Sequence, residues 1–384
     1  MNSLEKLIIN IFTNELVWMG QVDNVKTLVH RTSWHEIPNS ELKVSKTAQG
    51  IEELQTGRIL IVNGQKDKAL IIEDLSASLD DEDITFTCIP LKGMLNYRIC
   101  HPTDANNFIQ MKQADIMMKI PDGNLFTQTR DPDRKFWNND RTINMFRIAG
   151  LKGYGNTLDF TVDWDTGYIG DTIVSLAKNS TLPLGWNVYI TDDFKFFEMD
   201  VYEGQQKHIN QIVIPPVVFS EEFGNIKNVS YEYSIKEWRN VIYMIWSSEG
   251  SDIKNATPVG NTAHGATVSF NRKELIYNSN KKVSGEVVSD GRSELNKRPH
   301  IENFNAEIVT TDNTMTTYKA NWDVGDIVTV QSKEVLENKL VSIDVQITEI
   351  EETYDSGEYS INATFGAGRL TLIDLIKQHI EQRT

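Results

Sequence analysis

The 384-residue chain is short of cysteine and of basic residues and lacks any long apolar run, and each shortage removes a class of protein. Two cysteines, Cys88 and Cys100, are too few for a disulfide scaffold, and with no CxxC pair or histidine cluster beside them they offer no structural zinc site. They suit a chain that folds in a reducing cytosol. The 38 Lys and Arg stand against 54 Asp and Glu, a formal charge of -16, so the chain as a whole repels polyanions. Conventional DNA binding and attachment to an anionic membrane are improbable on that ground. Residues 7–12 are apolar but broken by Asn10, flanked by Glu5 and Asn14, and followed by no small-residue cleavage site, so they are not a signal peptide. Nothing later approaches the roughly 20 apolar residues of a membrane-spanning helix.

Catalytic signatures are missing as well. The seven histidines are scattered, with no HExxH or HxH spacing, so no metal or other cofactor is expected. There is no GxSxG elbow, and the glycines Gly150, Gly153 and Gly155 have neither GxGxxG spacing nor a Walker lysine. That cluster reads as a turn. Cys100 and His101 are adjacent, but a nucleophilic dyad is assembled across a fold rather than along the chain.

What is present is ordinary globular composition, 40% hydrophobic and 9% aromatic, in a chain long enough for two or three cores. Residues 1–100 read as short strands at about ten-residue spacing, the pattern of a small antiparallel barrel or sandwich. Residues 58–62 and 69–72 make a hairpin around a polar turn. Over 83–90, Ile84, Phe86 and Cys88 share one face and Thr85 and Thr87 the other, which places Cys88 in a core.

Residues 101–300 read as a mixed α/β middle region with long loops. Residues 102–144 look like a long connection, with Arg130, Asp131, Asp133 and Arg134 crowded together. Ile169, Ile173, Leu176 and Ala177 recur at helical spacing, with Asp165 or Thr166 as the cap and Pro183 and Gly185 as the stop. Strands are expected at 187–191, 195–200 and 228–234, and at 241–246, where consecutive apolar residues imply burial on both faces. Residues 250–267, rich in Gly, Ser, Asn and Thr, read as a mobile loop.

Residues 301–370 return to strands, at 305–310, 326–332, 340–351 and 358–365. Val341, Ile343, Val345 and Ile347 alternate with polar residues, and Asp355-Ser356-Gly357 turns the chain back. This region is expected to be a second β-barrel. Leu372, Leu375, Ile376 and Ile380 suggest a helix over 371–384, capped by Thr371.

Paired acids such as Asp163 and Asp165 around Trp164, Asp192 with Asp193, or Glu221 with Glu222 are the side chains a glycosidase uses across a sugar. Among 54 acids such pairs arise by chance, and ahead of a helix they have a structural use as well. The eight tryptophans serve either a carbohydrate groove or cores and interfaces.

Three segments resemble one family, the siphophage tail-hub proteins, the structural N-terminal part of tail-associated lysins. Residues 54–98 (LQTGRILIVNG and KALIIEDLSASLDDEDITFTCIPLKGMLNYR) look like the family's first barrel. Residues 218–249, with FSEEFGNIKNVSYEYSIKEWRNVIYMIW, resemble its acidic-Gly-Asn strand, turn and buried strand, and residues 318–368 look like its second barrel. The Asp-x-Gly-Asp turn from Asp323 to Asp326 and the closing Phe365-Gly366 are the most specific marks.

The resemblance implies a β-rich α+β fold of two similar antiparallel β-barrels with a mixed middle region, and a structural rather than enzymatic role. It implies a homotrimer whose six barrels form a pseudo-sixfold ring between the hexameric tail tube and the tip. The partners would be the tail tube or distal tail protein above and tip or fibre proteins below, with DNA crossing the lumen without specific binding. The site would be the virion tail tip, after assembly in the host bacterial cytoplasm. Subunit contacts would fall at Trp322, Asp323, Gly325 and Asp326 in the second-barrel turn and at Gly57 and Arg58 in the first barrel. Because the sequence ends at Thr384 with no peptidase or glycosidase module, wall-degrading activity is not expected. Two other readings stand beside this: a carbohydrate-binding or cell-wall-degrading tail protein using Asp163, Trp164, Asp165 or the 250–267 loop, and a spike-bearing hub of a bacterial secretion apparatus.

Overall fold

Seven strands occupy the opening third of the chain: β1 (Ile9–Phe12), β2 (Trp18–Val22), β3 (Val25–Ser33), β4 (Ser40–Ser45), β5 (Ile59–Val62), β6 (Leu70–Ala77) and β7 (Asp83–Pro90). The structure, a computed structural model, describes residues 7–22, 24–102, 107–126, 141–180, 183–251, 253–260, 267–298, 300–309, 317–333, 340–355 and 357–366. Two units divide the chain, one of Met1–Val229 with Asn305–Phe365 and the other of Ser230–Phe304 with Gly366–Thr384.

In the first unit the seven strands lie in the order β3-β4-β7-β6-β5-β1-β2, each neighbour antiparallel. The expected β5–β6 hairpin forms, and β7 has the expected limits. Residues of all seven strands, among them Ile11, Val22, Leu28, Leu42, Leu60, Ile72, Phe86 and Cys88, converge on one core, so the sheet is curled. Ile59, Ile61, Ile71 and Ile89 point the other way into a second core. That double burial explains why β5 reads Ile-Leu-Ile-Val without alternation.

The curl is not a closed barrel among the described residues, because no ladder joins β2 to β3. The free edge of β3 pairs instead, antiparallel, with β20 (Val341–Asp355) of the closing third, from Ser33 opposite Glu349 to Thr27 opposite Asp355. The earlier half of β20 pairs with β19 (Ile327–Ser332), and the later half also pairs with β21 (Glu358–Gly366). A short parallel strand, β13 (Val218–Ser220), lies on β19. Strands of the opening and closing thirds therefore belong to one hydrogen-bonded sheet rather than to two separate barrels.

The middle region contributes the layer that covers the second core. It contains β8 (Asn107–Lys112), α1 (Gln113–Pro121), β9 (Phe146–Ile148), β10 (Thr157–Thr161), α2 (Ile169–Lys178), β11 (Gly185–Ile190) and β12 (Phe197–Tyr202). Two expectations change here. The connection expected over 102–144 holds β8 and α1, and α1 is buried at seven of its nine positions, so its apolar residues follow no amphipathic period. α2 forms as expected, but neither Asp165 nor Thr166 caps it. The Asp171 N–H is received at 3.0 Å by Asn96 Oδ1, from 75 residues away. Gly185 opens β11 rather than closing the helix.

The chain leaves the first unit along β14 (Ile226–Ser234) and re-enters it along β18 (Ile301–Ile308). In the second unit β15 (Val241–Trp246) sits between antiparallel β16 (Asn255–Gly260) and parallel β17 (Glu274–Asn278). α3 (Ser284–Asn296) packs Val287 and Leu295 on Ile242, Met244 and Val259. The central place of β15 accounts for its apolar run. A third of the loop expected over 250–267 is strand β16, and residues 261–266 lie outside the described residues. The helix expected over 371–384 and the cluster Arg130, Asp131, Asp133 and Arg134 also lie outside them.

Candidate functional site

The residues expected at subunit contacts begin with the turn before β19, and its geometry starts from glycine. Gly325 has φ +95°, a left-handed conformation open to glycine, and a Cβ there would overlap the ring of Trp34. A Cβ on Gly185 would overlap the same ring. Trp34 is thus clamped between two glycines, its Nε1 donating to Pro183 O at 3.0 Å and its N–H to Thr348 O at 2.9 Å. Neighbouring residues tie the same segment to the middle region. His35 Nδ1 lies 3.1 Å from Leu184 O, and Trp186 Nε1 donates to His35 O at 2.8 Å.

Asp323 and Asp326 are consumed by the turn. Asp326 is 5% exposed, accepts from Lys207 Nζ at 2.7 Å and receives the Asp323 N–H at 2.9 Å. Asp323 pairs with Lys319 at 3.0 Å and accepts the Val324 N–H. Trp322, 1% exposed, meets Phe219 edge-on at 5.3 Å and Tyr318 at 4.9 Å. The side chains of Trp322 and Asp326 face the interior of their own chain, which explains why this turn is so specific a mark. Gly57, at φ +82°, and Arg58 lie at the surface beside β5. Gly57 N–H donates to Ile72 O at 2.8 Å, and Arg58 is 3.9 Å from Glu53.

A second group, which sequence reasoning missed, is a buried ion pair at the seam of the first and last thirds. Lys68, in the turn between β5 and β6, bonds to Glu352 of β20 with both side chains enclosed. Tyr359 donates to Glu352 at 2.8 Å, Lys68 Nζ lies over the Tyr318 ring at 4.6 Å, and His30 Nε2 is 2.9 Å from Lys68 O. Burial lowers the His30 pKa and raises those of Tyr318 and Tyr359. Lys92 is enclosed too, with Ser33 O at 2.6 Å, Trp186 O at 3.4 Å and the Trp186 ring at 4.9 Å as partners, and burial brings its pKa down to about 7. No pattern along the chain distinguishes these lysines from surface ones.

The match that decides the family covers residues 8–367, against the description Siphovirus ReqiPepy6 Gp37-like protein. The chain belongs to this family. The fold of this Gp37-like chain is also that of known tail proteins. It is similar to the 43 kDa tail protein of prophage MuSo2 from Shewanella oneidensis, at 11% identity and TM-score 0.56, covering 93% of this chain and 98% of that one. It is similar to the tail protein from Neisseria meningitidis MC58 (10%, TM-score 0.55, 94% and 96% covered). A third likeness is to prophage tail protein gp18 from Listeria monocytogenes EGD-e (11%, TM-score 0.51, 99% of each chain). No curated protein matches the sequence.

In this Gp37-like chain Asp163, one of the acids weighed for catalysis, serves as a turn former. Asp163 Oδ1 accepts from Thr166 Oγ1 at 2.9 Å and from the Asp165 N–H at 3.1 Å, and Thr166 Oγ1 receives the Asp163 N–H. Trp164 is 67% exposed and stands edge-on against the His101 ring at 4.7 Å. A cavity of about 350 Å³ holds three acids, Glu36, Glu73 and Asp171, each with a partner: Lys178, Tyr97 and Asn96. Among the described residues no group of His, Cys, Asp or Glu is placed to hold a metal ion, and no helix is long and apolar enough to cross a membrane. Cys88 and Cys100 are both buried, and burial pushes the Cys88 thiol up to about 12.

Proposed function

We propose that this siphovirus tail protein is a non-enzymatic hub of the tail tip or baseplate, three copies of which form a ring joining the hexameric tail tube to the tip. The observation that carries the reading is the β3–β20 ladder. It makes strands of the two sequence halves expected to line the ring into one sheet, and the buried Lys68–Glu352 pair pins them together. A ring segment that passes load from tube to tip needs that rigidity. In this reading residues 1–100 and 301–370 are the two ring-forming halves, residues 101–300 lie outside or beneath the ring, and exposed Gly57 with partly buried Arg58 stays a candidate contact. The formal charge of -16 gives a lumen wall that offers passing DNA no counterion release. The distal tail protein or tube would sit above and tip or fibre proteins below, and assembly would precede release from the host cytoplasm.

Light-scattering mass of the purified protein tests the proposal. Three chains per particle is the expected result; a monomer that persists at high protein concentration refutes the ring.

One observation favours a second reading, a carbohydrate-binding tail protein: the exposed Trp164 ring, held edge-on by His101, is a surface on which a sugar stacks. Glycan-array binding lost in Trp164→Ala supports it, and no binding above background removes it.

A further inference from the structure

The loop between β12 and β13 is closed at its base like a clasp. Val217 N–H donates to Lys207 O at 2.7 Å, and the base lies along β19 through Lys207 N–H to Ile327 O at 2.7 Å and Thr329 N–H to Val217 O at 3.1 Å. Ile209 N–H donates to Thr329 Oγ1 at 3.0 Å, and Asn210 bonds to Asp344 of β20. Inside the loop one side chain does the work of a turn. Gln211 Oε1 accepts the N–H groups of Val213 (2.7 Å) and Ile214 (2.9 Å), while its Nε2 donates to the carbonyls of Ile214 (2.6 Å) and His208 (3.1 Å). The loop is therefore a preformed projection, of the compact kind that often carries function.

Its tip is apolar and bare. Ile212 is fully exposed and Val213 88% exposed, beside the half-exposed Ile209. Aliphatic side chains held out rigidly gain nothing from water and lose little entropy on being covered, which is the character of an interface anchor. Charge indicates what covers them. Residues 209–220 contain no Asp, Glu, Lys or Arg in a chain that is 24% charged and carries -16. A basic partner would select acids on such a knob; an uncharged knob suits a partner of the same strong negative charge, whose approach is least opposed where charge is absent. The knob is also a one-sided feature, as the head-to-tail contacts of a cyclic ring require.

We propose that the loop of residues 208–216 is a knob by which one copy of this chain docks on the next. This rests on the ring reading above and adds the element that makes the contact.

The test compares the intact protein with the double variant Ile212→Asp, Val213→Asp by light-scattering mass across a concentration series, with thermal melting as the folding control. The expected result is an assembled wild type and a variant at least tenfold weaker in association with an unchanged melting temperature. If the variant melts early, the milder Ile212→Ser, Val213→Ser protein is used for the same comparison. An assembled wild type and an equally assembled, folded variant overturn the knob while leaving the ring intact, as they would if the loop docks on a different tail protein. A wild type that stays monomeric overturns the ring reading itself.

Discussion

At the scale of single residues, glycine and buried charge explain what hydrophobic patterning does not. Gly325 combines a positive φ with contact on the Trp34 ring, so Gly325→Ala is strained by both backbone and overlap. Its expected cost is on the order of 1–3 kcal/mol in chemical denaturation, and Trp34→Ala should cost about 3–5 kcal/mol. Lys92 supplies a pH signature. Its folded pKa, near 7, lies below the ordinary 10.5, so between those values the unfolded chain binds the extra proton and stability rises with pH. The gain is at most about 1.4 kcal/mol per pH unit. Denaturation midpoints at pH 7, 8 and 9 should rise more steeply in the wild type than in Lys92→Met, and equal slopes would contradict the assignment. His35, brought down to about 3 by burial, works in the acid range with the same sign. It stays neutral in the fold, and the stability it permits is lost as pH falls from 6.5 towards 3.

At the scale of elements, the seam between the two sequence halves is the part most open to test. Glu352→Gln leaves Lys68 enclosed without its carboxylate partner and should cost roughly 3–5 kcal/mol, whereas the paired replacement Lys68→Met, Glu352→Leu should cost far less. A double-mutant cycle with no coupling would show that the pair does not hold the seam. The same scale shows what the amino-acid order can reveal. β7 and the β20–β21 hairpin were legible because alternating polar and apolar residues mark them, although β20 runs to Asp355, past the expected end at 351. α1 was not, because burial all round erases helical periodicity, and β16 was not, because its Asn, Thr, Pro and Gly carry loop composition while β15 supplies its ladder. The cap of α2 came from Asn96, a tertiary contact with no local signal. The Asp323–Asp326 turn stood out in the sequence, yet its specificity lies in inward packing, and the Lys68–Glu352 pair had no mark at all.

At the scale of the whole molecule, membership of the Gp37-like family and the acidity of the chain accord with the proposed ring, through which DNA would pass without adhering. Mixed with duplex DNA at about 50 mM salt, where phosphate contacts are strongest, the protein should leave its mobility on a gel unchanged, and retention would speak against an inert lumen. The most direct measurement is electron microscopy of the purified, assembled protein. The account predicts threefold rings with an open central channel; single particles of one chain, or closed assemblies without a channel, would contradict it.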